Sequence, residues 1–376
     1  MSYLKIINGH VFYKNLRFET RDIYANDGII CNSADGEVFD ADGCYVLPGL
    51  IDIHMHGCIN ADASSGDIAQ LEQMSGFLSD NGVTGFCPTT MTLPIDKLER
   101  AFCAADEYKR TGTRGAKLLG VNMEGPYFSM EKKGAQNPDY IKNPDITEFD
   151  RLWNASNGII RITDIAPEKD GAIPFIEHVS KLTTVSIAHT SASYHEARAA
   201  LEAGASSITH LFNAMTPFTH RDPGVVGAAF ESNDCFAELI CDCIHVHPAV
   251  IKTVFKVMGE DRVCAISDAL PCAGLADGKY MSGGLEVYLK DGCARLLDGT
   301  LAGSASTLYM NFKKLIGIGI PMETVIKACS ANPAKCIGVY DSIGSIETGK
   351  FADIVVLDKE LNIKWVFING ILNKRM

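Results

Sequence analysis

The run LPGLIDIHMHG, residues 47–57, is almost wholly apolar until its end, where it sets His54 and His56 one residue apart. Side chains at i and i+2 of a β-strand share a face. Both imidazoles therefore point the same way, and two neutral imidazoles side by side form a chelating pair for a zinc-like cation. An isolated H-x-H is a weak signal, because a polar strand end hydrogen-bonded to a loop produces the same pattern. Four further short runs also end in a metal-ligand side chain: Glu124 in NMEGPYF, His189 in SIAHTSAS, His210 in SITHLFNAM and Asp268 in AISDALP. Each has an ordinary explanation of its own. Glu124 can cap a helix, His189 and His210 can be hydrogen-bonded core histidines, and Asp268 can open a turn. Five strand ends that all deliver oxygen or imidazole donors are much harder to assign to chance, and together they point to a divalent metal site.

A second H-x-H, His245 and His247 in CDCIHVHP, lies in a loop running into a Pro-started helix, where side-chain direction does not alternate. His245 reads as a substrate contact and His247 as local packing near the helix start.

The elements that must carry these groups alternate in type. Strand-like runs occupy 50–56, 83–88, 117–124, 159–165, 184–189, 206–210, 236–241 and 263–268, with helix-like segments such as LEQMSGFLSDNG, SYHEARAALEAG and HPAVIKTVFKVMG between them. These helical segments close near a glycine, a common C-cap. Eight βα repeats predict an α/β fold, a (β/α)8 TIM-like barrel, whose strand carboxyl ends carry the chemistry. Residues 1–46 and 343–376 read instead as short strands and turns. Neither stretch suffices for a sheet domain alone, so they are expected to pair into one small β-sandwich. The division is 1–48 plus 343–376 for the sandwich and 49–342 for the barrel. Segment 278–300 looks like a β-hairpin inserted after the eighth strand, ahead of two closing helices.

Composition narrows the partners. The chain has 376 residues, 47% of them hydrophobic, enough for one large core plus a smaller one. Its 34 basic against 46 acidic residues leave a net charge of −12, which argues against nucleic acid or an anionic membrane surface as partners. An anionic substrate would need a local cationic pocket. The start, MSYLKIINGH, lacks the layout of a secretion signal, and no apolar run approaches membrane-spanning length. Thirteen cysteines without a C-x-x-C pair suggest reduced thiols in the cytoplasm, and nucleotide-binding glycine loops are absent.

Several longer stretches resemble the amidohydrolase superfamily and, within it, the N-acetylglucosamine-6-phosphate deacetylase family. They are PGLIDIHMHG, the EGP of MEGPYF, KKGAQNPDYI, AHTSA, THLFNAMTPFTHRDPGVVGA, the D-x-x-HV of CDCIHVHP, SDALPCAGLADGKY and DGTLAGSASTL, and they span most of the chain. HLFNAM followed by R-x-PG-x-x-G is far more specific than H-x-H. The resemblance implies hydrolysis of the acetamide of N-acetylglucosamine-6-phosphate. It implies that Glu124, His189 and His210 hold the principal metal, with zinc first and iron, manganese or cobalt as alternatives. Some members lack the pair matching His54 and His56 and use one metal; retention of both here implies two per chain, with Glu124 as bridge. Asp268 falls at the position of a metal-side general base that later acts as acid. Ala135, Gln136, Asn213, Ala214, Arg221, Asp242, His245, Leu301, Ala302 and Gly303 fall at substrate positions, with Arg221 the leading phosphate ligand. In some relatives that arginine reaches across a subunit interface, so a homodimer is expected.

Two positions depart from the family pattern. Gln136 stands where many members have histidine, and an amide cannot carry a proton. Cys243 stands where D-G-x-H-V has glycine, a change expected to reshape the sugar pocket. The alternatives are deacetylation of another hexosamine phosphate such as N-acetylgalactosamine-6-phosphate, hydrolysis of a cyclic amide, or an inactive barrel. Cyclic-amide relatives commonly bridge their metals with a carboxylated lysine after the fourth strand, where this chain reads RITDIAPE with no lysine before Lys169. An inactive barrel would be expected to have lost ligands, and none is missing.

Overall fold

The computed structural model describes residues 3–14, 16–112 and 115–375. Its centre is a parallel barrel. The strands are β1 (Leu50–Met55), β2 (Val83–Thr90), β3 (Val121–Met123), β4 (Ile160–Ile165), β5 (Thr184–Ile187), β6 (Ser207–Ile208), β7 (Phe236–Ile240) and β8 (Val263–Ile266). They pair in sequence order, each with the next. Strands β1 and β2 are buried along their whole length, as strands with both faces covered must be. Helices return the chain between strands: α1 (Ile68–Asp80), α2 (Ile95–Thr111), α3 (Ile146–Ala155), α4 (Ala172–Val179), α5 (Tyr194–Glu202), α6 (Gly224–Glu231), α7 (Pro248–Met258) and α8 (Leu308–Gly317). Their starts are chemically marked. Ser193 and Glu196 form a reciprocal capping box on α5, and Asp67, Asp145 and Thr307 cap α1, α3 and α8.

The barrel closes between β8 and β1 just beyond the regular strands. Asp268 N–H donates to the His54 carbonyl at 2.9 Å, and His56 N–H to the Ala269 carbonyl at 2.8 Å. Backbone bonds at the seam thus fix three of the candidate ligand positions.

The expected strand 117–124 is split into Lys117–Leu118 and Val121–Met123, both paired with β2. The insertion is a three-stranded antiparallel sheet, Gly278–Ser282, Leu285–Lys290 and Cys293–Arg295, rather than a plain hairpin. The second closing helix is composite, with a π-helical turn Lys327–Ala331 between Met322–Ile326 and Asn332–Cys336.

Both chain ends build one sheet. The long strand Tyr3–Phe12 pairs antiparallel with Phe18–Asn26 and, on its other edge, first with Glu37–Asp40 and then with Tyr45–Pro48. Ile354–Leu357 joins Tyr45–Pro48 and continues into Ile363–Ile368 and Ile371–Arg375. The divided edge folds the sheet over a core of its own, in which Phe39 meets Trp365 and Phe367 edge-on at 5.4 and 4.9 Å between ring centres. Among the described residues, no helix is long and apolar enough to cross a membrane.

Candidate metal centre and substrate cavity

The strand-end donors converge. His189 Nε2 and His210 Nε2 each lie 3.1 Å from Glu124 Oε1 and 3.2 Å from one another. Donors held tetrahedrally at ~2.1 Å from a zinc-sized ion stand roughly 3.4 Å apart, so these three atoms already have the spacing of a coordination shell. Beside them, His56 Nε2 is 3.3 Å from Glu124 Oε2 and 3.2 Å from Asp268 Oδ1, and His54 Nε2 is 3.6 Å from Glu124 Oε1 and from Asp268 Oδ1. Two groups, His54–His56–Glu124 and Glu124–His189–His210, keep their donor atoms within 4.8 Å of one another and share Glu124. His54 Nε2 is buried and makes no hydrogen bond, a costly state unless something binds there.

Each ring is held from behind. His56 Nδ1 faces the Thr89 carbonyl at 3.1 Å, His189 Nδ1 the Lys132 carbonyl at 2.8 Å, and His210 Nδ1 the Asn213 carbonyl at 3.2 Å. A donor bond of this kind fixes the tautomer that leaves Nε2 free for a metal. His189, His210 and Asp268 have φ of 44°, 30° and 49°, the left-handed region that non-glycine residues avoid. Such strain persists only where the surroundings over-determine it, and it clusters at functional sites.

Electrostatics keep the carboxylates charged. Burial opposes ionisation of Glu124, yet His56 and the hydrogen bonds from His189 and His210 outweigh it and hold its pKa well below the usual carboxylate range. Asp268 is lowered in the same way: burial opposes, and the hydrogen bond from His56 and the charge of His54 prevail.

A cavity of about 300 Å³ opens over this cluster. Its floor includes His56, Glu124, His189, His210 and Asp268, and its sides include Ala135, Gln136, Asn213, Ala214, His245, Leu301, Ala302 and Gly303, all expected from the sequence. His54 lies beneath it, and two of the expected substrate residues do not line it. Arg221 stands exposed on the loop before α6. Asp242 lies behind His245, accepting from its Nδ1 at 2.7 Å and from the backbone N–H groups of Ile244 and His245, because a short acid at this turn satisfies loop donors first. His245 Nε2 meets the Ala302 carbonyl at 2.8 Å, so both ring nitrogens face acceptors. Burial disfavours the charged ring, but Asp242 outweighs it and raises the pKa. His247 is an exposed N-cap, its Nδ1 accepting from Ala249 N–H, rather than a packing residue.

A model of the amidohydrolase family matches residues 45–372. The chain belongs to the amidohydrolase family. The N-acetylglucosamine-6-phosphate deacetylase of Bacillus subtilis is 36% identical over 330 residues, covering 86% of this chain and 83% of that protein. The N-acetylgalactosamine-6-phosphate deacetylase of Escherichia coli O157:H7 is 34% identical over 335 residues, covering 89% of each. The crystal structure of N-acetylglucosamine-6-phosphate deacetylase from Pasteurella multocida superposes with a TM-score of 0.93 at 29% identity over the full length of both chains.

Membership in the amidohydrolase family implies a divalent metal, and the donor set fits one: imidazole nitrogens and carboxylate oxygens converge, one of them an unpartnered buried nitrogen. Among the described residues, the lining of the cavity above the cluster includes no lysine. The two departures from the family pattern resolve differently. Gln136 donates from Nε2 to Glu124 Oε2 at 2.6 Å and accepts at Oε1 from Thr92 N–H at 2.7 Å, so it grips the shared carboxylate. Cys243 does not line the cavity. It packs against the main core with φ of 63°, which explains why glycine suits the position and removes the ground for a reshaped sugar pocket.

Two features escaped the sequence. Leu285, Val287 and Leu296 of the insertion form an apolar wall of the cavity. Glu238, wholly buried in β7, contacts His54 Nδ1 at 2.8 Å. The signal for Glu238 was an acid within the apolar run FAELI, a residue type almost never buried without a partner.

Proposed function

We propose that this chain hydrolyses the acetamide of N-acetylglucosamine-6-phosphate to glucosamine-6-phosphate and acetate. The observation that carries this reading is the meeting of six strand-end donors under one cavity, in a family member whose Bacillus subtilis relative is named for that activity. Glu124, His189 and His210 would hold one divalent cation, and His54, His56 and Asp268, with Glu124 between the two groups, a second. Zinc suits these donors, as do iron, manganese and cobalt. A cation bound there supplies Lewis acidity, bringing the pKa of water to about 7 and polarising the acyl carbonyl.

The remaining steps belong to the side chains. Asp268, kept ionised and lining the cavity, accepts the proton of the attacking water and returns it to the departing nitrogen, a role worth about 10²–10⁴ in rate. Gln136 fixes Glu124 from the side and keeps a second amide N–H for the substrate. His245 bridges Asp242 and the Ala302 carbonyl at the sugar-facing side. Among the described lining residues there is no lysine or arginine, although the substrate carries a phosphate. Arg221 from a second copy of the chain would supply the guanidinium fork that phosphate oxygens favour, which makes the working unit a homodimer. Thirteen cysteines, all free, suit a reducing cytoplasm.

A second reading replaces the glucose epimer with N-acetylgalactosamine-6-phosphate, because the Escherichia coli relative is nearly as similar. Acetate release from both sugars, with chelator and after metal add-back, tests the assignment. Release from the glucosamine substrate that disappears with chelator and returns with metal is expected; faster turnover of the galactosamine epimer would favour the second reading, and release indifferent to chelator would refute both. Mixing Asp268→Asn with Arg221→Ala subunits tests the shared site. Restored activity at low substrate is expected, and no restoration would place the arginine elsewhere.

A further inference from the structure

The imidazoles of the cluster are not equivalent. Three of the four rest on backbone carbonyls, whereas His54 rests on a carboxylate, Glu238 Oε2 at 2.8 Å from its Nδ1. Strands β1 and β7 are not neighbours in the sheet, so this contact crosses the barrel interior, and both side chains are fully buried. Among the described residues, Glu238 has no ion-pair partner but His54, and its second oxygen, Oε1, has no hydrogen-bond partner. Asn122 Nδ2 approaches His54 Nδ1 only to 3.5 Å and already donates to the Ile53 carbonyl at 3.2 Å. A carboxylate so buried is costly unless its charge is answered nearby.

We infer that Glu238 is a positioning residue that makes the His54–His56 end of the cluster a high-affinity cation site. Holding the Nδ1–H, it leaves the Nε2 lone pair aimed at the space between Glu124 and Asp268 and makes that nitrogen a stronger donor. The cation at this end answers the charge of Glu238 through the ring. The Glu124–His189–His210 end has its own backbone supports and needs no such partner. This inference rests on the two-cation reading above.

The test strips the whole protein with chelator, returns zinc alone, and measures bound zinc and competition with a chromophoric chelator. Wild type should take two equivalents. Glu238→Gln, nearly isosteric, should keep one tight equivalent while the other weakens about 10–100-fold. His54→Asn should show the same single loss, and the double variant no further loss. The surviving equivalent reports that the variant is folded. Two equivalents in Glu238→Gln with affinities within about threefold of wild type would overturn the inference and leave the two-cation reading intact. Loss of both equivalents would also overturn it, since Glu238 would then support the whole barrel. A single equivalent in wild type would instead remove the reading on which it rests.

Discussion

The floor and the wall of the cavity are built on opposite terms. The floor is made of barrel strand ends, where each ring nitrogen facing away from the cavity has a fixed partner and where His189, His210 and Asp268 sit in a backbone region that only dense surroundings can enforce. The wall is the apolar face of an insertion, in which Val287, Leu289 and Ala294 pack with Leu270 and Ala302 in a small cluster apart from the main core. A floor of this kind holds groups to within fractions of an ångström, as bond-breaking requires. A wall held by packing alone excludes water and shapes the ligand but directs no proton. Changes to the floor should therefore act on kcat and changes to the wall on KM.

The largest effect should come from the proposed base. Asp268→Asn should lower kcat by about 10²–10⁴, the usual worth of a positioned proton acceptor, while the cation at Glu124, His189 and His210, a group that Asp268 does not join, stays bound by elemental analysis. A kcat within threefold of wild type would mean that another group takes the proton. Next is Gly303, whose added Cβ would stand 2.9 Å from Asp268 Oδ1 and 2.6 Å from its carbonyl oxygen. Gly303→Ala must displace that carboxylate, and small misplacements of reacting groups cost up to about 10² in rate. Steady-state kinetics should show the loss mainly in kcat; a change confined to KM would assign Gly303 to substrate contact alone.

How far the sequence reveals each region follows from the same contrast. A histidine or acid that ends an apolar run stands out, so His54, His56, Glu124, His189, His210 and Asp268 were legible together, and the barrel periodicity placed them on one rim. The wall was not legible as such, because the alternation of LEVYLK marks any strand with one buried face. Asp242 looked like a substrate group because its type and spacing matched, yet loop donors claim both its oxygens. Glu238 sits within β7 rather than at its end, and its partner is 184 residues away in sequence. Only the closed barrel brings the two together.

The wall predicts a milder response. Val287→Ala should raise KM about tenfold, the low end of the effect of lost methylenes in an apolar pocket, with kcat nearly unchanged. A comparable fall in kcat would show that the wall aligns the acyl group as well. His245 joins wall to floor through Asp242 and the Ala302 carbonyl. Its folded pKa lies above the ordinary 6.5, so its stabilising contribution is complete below that value and is lost as pH rises through the raised one. Melting temperatures of wild type and His245→Gln should therefore converge as pH rises above 6.5. A constant difference above that pH would show that the ring contributes by packing rather than by charge.

The smallest effect separates backbone strain from pocket shape. Cys243 carries φ of 63° and touches the core rather than the cavity. A β-branched side chain is worse in that conformation, so Cys243→Val should destabilise the protein by about 1–2 kcal/mol in denaturant melts. Cys243→Gly should change stability by less than about 1 kcal/mol, since the strain it relieves is offset by the greater freedom of glycine in the unfolded chain. Neither variant should move KM, because the residue does not line the cavity. A shift in KM with Cys243→Gly would mean that the residue acts through the loop on His245, two positions on, and would extend the reach of the floor into the turn that follows β7.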